Sequence, residues 1–211
     1  MTFDRRDLLA AVPTGSGRAL DLGGGKGDLQ KPVEQRGYNY FNLDLVPGAG
    51  QAVRGDAHRL PFVERCFDII ISEDSLEHFS DPQDAISEAR RVLVPGGVLV
   101  IWVPFMHPFH GTDFYRYTPL GLRLMLERGG FVIETITAPL WLFSVMAEAL
   151  VEVAKRMGLG FTERAFEQLG RWLDHAARRF QGRSMAFANA YLVVAHPDDG
   201  TPEQAGAGGI R

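Results

Sequence analysis

Residues 18 to 30 read Arg-Ala-Leu-Asp-Leu-Gly-Gly-Gly-Lys-Gly-Asp-Leu-Gln, and this stretch decides the fold. Ala19, Leu20 and Leu22 form a short apolar strand. Gly23, Gly25 and Gly27 then let the backbone turn sharply, take positive φ and approach a ligand without Cβ clashes. Strand, glycine turn and helix start together make a nucleotide-type cofactor site. The spacing argues against a dinucleotide, because G-x-G-x-x-G requires glycine where this chain has Asp28, and an acid at a helix N-terminus repels a pyrophosphate. A zwitterionic or cationic ligand suits the turn better. On the motif alone, a glycine turn that binds nothing is the competing reading.

Working outward, Arg6 to Val12 reads as a short helix or arm and residues 13 to 17 as a turn-rich link. After the glycine loop a helix is expected from Leu29 to Arg36, with Pro32 near its first turn and Gly37 at its end. Tyr38 to Leu45 alternates and is rich in aromatics, which predicts a second strand with Asp44 near its C-terminal end. Asp44 follows Gly23 by 21 positions, close to the offset of about 20 at which an acid reaches ribose hydroxyls in nucleotide-binding α/β units. A loop acid that caps a turn is the alternative. A third strand covers residues 51 to 54, and Phe67 to Ser72 is an apolar run suited to a buried parallel strand. Glu73-Asp74-Ser75-Leu76-Glu77-His78 follows that strand. Because open α/β sheets bind ligands beyond the carboxyl ends of their strands, these polar residues are expected to line the cleft.

Asp81 as N-cap and Pro82 at the first helical position begin a helix to Val92, and Val98 to Val103 is a fifth strand. Thr118 and Pro119 begin another helix to Arg128; Phe131 to Thr137 and Ala186 to Ala195 are the sixth and seventh strands. Strands that alternate with helices imply a parallel sheet covered on both faces.

Several segments carry a family resemblance. Asp21-x-Gly23-x-Gly25-x-Gly27 resembles the first motif of the class I S-adenosylmethionine-dependent methyltransferases, and Gly55-Asp56-Ala57-His58-Arg59-Leu60-Pro61-Phe62 resembles a second family segment. Leu76-Glu77-His78 after the fourth strand resembles that of the small members. Glu88 to Gly97 resembles their helix-to-strand junction, with Val94 where lysine is common. The resemblance spans residues 19 to 103, about half the chain. It implies a Rossmann-like seven-stranded, mostly parallel sheet with helices on both faces and an antiparallel pair of sixth and seventh strands. It also implies S-adenosylmethionine as cofactor. Asp21, Gly23, Gly25 and Gly27 would then lie at its amino-acid end, Asp44 would take the ribose, Asp56 and the Ala57 amide would meet the adenine, and Glu73 would be a further cofactor contact.

Beyond the fifth strand, residues 104 to 119 concentrate His107, His110, Asp113, Tyr115 and Arg116 in a loop on the cleft side of the sheet. The resemblance of this stretch to methyltransferases associated with glycans or the cell surface makes a sugar-like acceptor plausible. A packed aromatic loop with structural histidines is the bland reading. His110 is the first candidate base and His107 the second, with Asp113, Glu77 and His78 behind them; His78, Tyr115 and Arg116 are also candidate acceptor contacts. The spacing of His107, His110 and Asp113 is interrupted by Pro108 and Gly111, so no metal site is expected.

Composition sets outer limits. A chain of 211 residues with 45% hydrophobic content suits one core, so residues 1 to 196 are read as a single domain with a helical insertion at 139 to 183, and residues 197 to 211 as a disordered tail. A single cysteine, Cys66, and no signal-like start point to a cytoplasmic protein. A net charge of -4 gives no reason to expect nucleic-acid binding. Within the insertion two helices are expected, Leu140 to Met157 and Glu163 to Phe180, the first apolar around most of its circumference. Residues 155 to 183 hold seven basic and three acidic residues, a local charge of +4 that leaves -8 on the rest. That asymmetry suits contact with an anionic acceptor or the inner surface of a membrane, against the blander hairpin packed on the domain or on a second subunit. The leading function is methyl transfer to oxygen or nitrogen of a small-molecule, glycan or lipid-linked acceptor. A non-catalytic cofactor- or partner-binding module and, further off, a nicotinamide oxidoreductase are the alternatives.

Overall fold

A computed structural model describes residues 5–46, 52–109, 111–140, 142–158, 163–177, 185–186 and 188–200. Seven strands form one sheet in the order β3-β2-β1-β4-β5-β7-β6. They are β1 (Gly17–Leu22), β2 (Tyr38–Asp44), β3 (Ala52–Arg54), β4 (Phe67–Glu73), β5 (Leu93–Pro104), β6 (Phe131–Thr137) and β7 (Ala190–Pro197). The first five pair in parallel, whereas β7 runs antiparallel between β5 and β6. The sheet is therefore mostly parallel with an antiparallel margin, as the motif order implied.

The alternation of strand side chains supplies two cores. Leu20, Ile70, Leu99 and Ile101 face the cluster built with Ala85, Ile86 and Ala89 of α3 (Pro82–Val92) and Leu122 and Leu126 of α4 (Pro119–Arg128). Ala19, Ile69, Ile71 and Val100 face the other way, onto Leu8 and Val12 at α1 (Arg6–Ala11) and Leu29 and Val33 at α2 (Gln30–Glu34). Apolar residues on both faces are what a parallel sheet sandwiched by helices requires.

Several boundaries differ from expectation. The helix expected over 29 to 36 shortens to α2, because residues 25 to 29 remain in turns and Gly37 takes φ +100° to end the segment. Asp81 makes no side-chain capping bond, whereas the Thr118 hydroxyl accepts from the Gly121 amide at 3.1 Å. The last strand is displaced to 190–197, and the residues just beyond it are tied down: the Asp198 amide donates to Gly130, and Asp199 pairs with Arg90 and accepts from the Gly96 amide. The expected tail is thus anchored through residue 199, and its remainder, 201 to 211, lies outside the described residues.

Between β6 and β7 stand α5 (Leu142–Arg156) and α6 (Glu163–Ala177). Gly170 meets Phe143 and Ala147, and Asp174 accepts from the amides of Phe143 and Ser144 and from the Ser144 hydroxyl. These contacts run in opposite chain directions, so the helices are antiparallel. Although α5 is apolar around most of its circumference, Met146, Leu150, Val153 and Met157 stay exposed. Their 4-3-4 spacing places them on one stripe. On α6, Leu169 and Trp172 are likewise exposed.

Candidate cofactor and acceptor site

The sheet order reverses between β1 and β4, and ligands of open α/β sheets sit outside the carboxyl ends of strands at such a switch point. There a cavity of about 210 Å³ is lined by Arg5, Asp21, Gly23, Gly24, Gly25, Lys26, Asp28, Leu29, Glu73 and Asp74. The glycine loop is shaped by its neighbours. Gly23 has φ +79°, and a Cβ there would lie 2.5 Å from the Ser75 hydroxyl. At Gly25, φ +50°, a Cβ would meet nothing within 4 Å, so the backbone at this position opens into the cleft. The Gly25 amide donates to Asp44 at 3.0 Å and its carbonyl accepts from Asn42 at 3.1 Å, while the Ser75 hydroxyl donates to Gly23.

Asp21 is the chemically loaded residue. It is buried, its Oδ2 accepts from the Tyr40 hydroxyl, and its Oδ1 has no hydrogen-bond partner. Burial raises its pKa to about 7; the Tyr40 bond opposes the rise and the charge of Glu73 adds to it. An orphaned buried carboxylate at the wall of a cavity is a site prepared for a positive or donating group.

Of the residues expected at the cofactor, Asp21, Gly23, Gly25 and Glu73 share the cavity wall. Gly27 turns back through its amide to Gly24. Asp44 is not on the wall; its carboxylate takes the amides of Gly25 and Val46 at 3.0 and 2.8 Å. Asp56 is half exposed, accepts from the His58 amide at 2.9 Å and lies 2.5 Å from the His58 ring, and Ala57 beside it is buried. One partner of the acidic wall escaped the sequence reading: Arg5 donates from Nε to both Glu73 oxygens at 2.8 Å. Asp74, expected with its neighbours to line the cleft, sits on the wall in the left-handed region at φ +46°. No periodicity or motif marks Arg5; only the surplus of acids around the glycine loop hints that a cation must approach.

The acceptor loop folds against the turn after β4. Phe114 and Tyr115 donate their amides to the carbonyl of buried Glu77, and the Tyr115 and Tyr117 hydroxyls donate to Ser80 and Leu76. Asp113, nearly inaccessible, pairs with Arg116 at 2.7 Å and with His78 Nδ1 at 3.1 Å. Arg116 lies over the Phe109 ring, 5.0 Å from its centroid, with a long contact of 3.5 Å to the His107 carbonyl. The structure therefore brings His78, His107, Asp113, Tyr115 and Arg116 into one assembly, in which Asp113 is ion-paired with both Arg116 and His78. His107 is buried, whereas His78 is about one-third exposed. His78 Nδ1 also lies 3.0 Å from the Thr112 carbonyl, which can only accept, so Nδ1 carries the proton. His110 lies outside the described residues. Among the described residues no cluster of three or more His, Cys, Asp or Glu is arranged to hold a metal ion.

Comparison with known proteins follows the same lines. Residues 20–101 match the family described as methyltransferase domain. A demethylmenaquinone methyltransferase of Renibacterium salmoninarum is 31% identical over 129 residues, covering 56% of this chain and 53% of the relative. An uncharacterized 37.1 kDa protein in transposon TN4556 of Streptomyces fradiae is 30% identical over 213 residues, covering 89% of this chain and 57% of the relative. The chain thus spans little more than half the length of these curated relatives. Among solved structures, an S-adenosylmethionine-dependent methyltransferase from Mesorhizobium loti superposes with a TM-score of 0.58 at 19% identity, over 90% of this chain and 95% of that one, a likeness of fold.

Proposed function

We propose that the chain, whose residues 20–101 match the methyltransferase domain family, is a class I S-adenosylmethionine-dependent methyltransferase that transfers a methyl group to a small-molecule, glycan or lipid-linked acceptor. The observation that carries this reading is the orphaned Asp21 carboxylate on the wall of a cavity into which Gly25 opens. The residues present fit the cofactor. Asp21 answers positive charge, the Gly23 to Gly27 backbone receives the amino-acid end, Asp44 retains lone pairs for ribose hydroxyls, and Asp56 with the Ala57 amide suits the adenine edge. When bound, S-adenosylmethionine supplies a methyl group already activated by its sulfonium. The protein's work is then to exclude water and align the nucleophile.

Where the acceptor must lose a proton, we assign its removal to His78. Nδ1 donates to the Thr112 carbonyl, which makes Nε2 the basic nitrogen, and the carboxylates of Asp113, 3.1 Å from Nδ1, and Glu77, 3.8 Å from Nε2, stabilise the imidazolium. His107 and His110 are the reserve candidates, and Tyr115 and Arg116 order the loop around the acceptor. Residues 1–196 form one methyltransferase domain in this reading, with 139–183 inserted.

A second acceptor class is favoured by a separate observation. The Renibacterium relative is named for demethylmenaquinone, and the α5/α6 hairpin here exposes Met146, Leu150, Val153, Met157, Leu169 and Trp172. No described helix is long and apolar enough to cross a membrane, but exposed apolar residues on a segment whose sequence carries net positive charge suit contact with an anionic one. The deciding experiment incubates the protein with methyl-labelled S-adenosylmethionine and fractionated lipid, glycan and small-molecule extracts. Label in one fraction is the expected outcome and names the acceptor class. Calorimetric binding of NAD with no response to S-adenosylmethionine would overturn the reading.

A further inference from the structure

The cofactor cavity has an unusual charge balance. Four carboxylates line it, from Asp21, Asp28, Glu73 and Asp74, against two cationic side chains, Arg5 and Lys26. A ligand with an amino-acid end brings a cationic ammonium, which such a wall welcomes, and an anionic carboxylate, which it repels. The carboxylate needs a cation of its own, and charge alone limits the choice among the lining residues to these two.

Geometry separates them. Lys26 is exposed at the loop tip. Arg5 instead stands where α1 begins: the Leu9 amide donates to its carbonyl at 2.8 Å, and Leu8 and Val12 of the same segment are buried against the sheet. Arg36 donates to the Val12 carbonyl at 2.6 Å and fastens the far end of the arm. The guanidinium is thus carried to the cavity by a packed element. Both contacts to Glu73 use the single Nε donor, and Asp28 is at 3.4 Å from Nη2, a long ion pair to an exposed partner. A guanidinium has five N–H donors in a planar fork. It can therefore keep Glu73 through Nε while its terminal nitrogens grip a second carboxylate, and the weak Asp28 contact is the one a ligand displaces.

We propose that Arg5 is the specificity-determining residue that anchors the α-carboxylate of the bound ligand, with Glu73 holding the guanidinium in position. This rests on the reading of the cavity as an S-adenosylmethionine site. It makes the pocket selective for ligands with an intact amino-acid end.

Calorimetry on the full chain tests it with three ligands: S-adenosylhomocysteine, decarboxylated S-adenosylmethionine, and 5′-methylthioadenosine, which lacks the amino-acid end. The wild-type protein should prefer the carboxylate-bearing ligand. Arg5→Met should weaken S-adenosylhomocysteine by about tenfold or more, the scale of a charge-assisted hydrogen bond, and leave the other two within about twofold. Arg5→Lys should recover part of the loss. An equal loss for all three ligands would make Arg5 a structural tie for the arm, and no loss for any would remove it from the site; either overturns the assignment. A wild-type chain that binds none of the three overturns the cofactor reading and this assignment with it, a pattern distinct from the one that sinks Arg5 alone.

Discussion

Asp21 puts the site in opposition to the fold. An aspartate in an unfolded chain ionises near pH 3.9, roughly three pH units below the value of about 7 that burial imposes here. Because the folded pKa is raised, the stability Asp21 allows is intact below about pH 4 and declines as pH rises through about 7. Asp21→Asn should therefore flatten the fall in Tm of the unliganded protein between pH 4 and 8, as thermal melts across that range would show. A melting profile parallel to wild type would deny Asp21 that role. A cationic ligand reverses the preference by favouring the carboxylate, so S-adenosylmethionine should bind more tightly as pH rises from about 6 to 8, and Asp21→Asn should lose that dependence in titrations at each pH. Asp44→Ala should weaken cofactor binding by roughly 1.5 to 3 kcal/mol, the scale for hydrogen bonds to a charged group. Unchanged calorimetric affinity in a folded variant would leave Asp44 only its bonds to Gly25 and Val46. At this scale the sequence was most informative where backbone conformation demands a residue type. Gly23 and Gly25 are legible because positive φ and close approach select glycine, and Asp21 and Glu73 because they end strands at the switch point. Arg5 and the His78 to Asp113 pair were not, since contacts across 68 and 35 positions leave no local trace.

At the scale of elements, the hairpin owes its geometry to one buried acid. Asp174 on α6 accepts the Phe143 and Ser144 amides at 2.9 and 3.1 Å, satisfying donors at the start of α5 that have no partner within their own helix. It works as an N-terminal cap supplied in trans by the neighbouring helix. Asp174→Ala should cost about 1 to 3 kcal/mol for the donors left behind, read as faster amide hydrogen exchange in α5 with little change in the central strands. Uniform loss of protection would instead mean that the hairpin and the sheet unfold together. The two helices themselves were visible as amphipathic stretches, α6 starting at Glu163 as expected and α5 starting two residues later and ending one earlier, but their partly exposed apolar residues were not foreseen. Periodicity reports which residues share a stripe; it does not report that only one neighbour exists to cover it. The short α2 has a similar cause, because a helix-friendly composition after the glycine loop yields to the turns that shape the cleft.

Over the whole molecule, the sheet and the hairpin are separable in function. Replacing residues 140 to 182 with a short linker should preserve cofactor binding, since none of the cavity wall lies there, and abolish transfer if the hairpin admits the acceptor. A folded deletion with normal activity on the natural acceptor would take the hairpin out of the reaction. The mostly parallel character of the sheet, by contrast, was legible in the sequence, because each parallel crossover leaves a strand, a helix and a polar strand end in order.

The position of β7 also shapes how the molecule is made. The strand synthesised last is an interior one, hydrogen-bonded to β5 over Leu99–Pro104 and to β6 over Phe131–Thr137. Until residues 190 to 197 leave the ribosome, the nascent sheet has an open seam where β5 presents an apolar, unpaired edge, the kind of template that recruits strands from other chains. The sheet therefore closes only once these residues have been made, by inserting a strand between two that are already waiting.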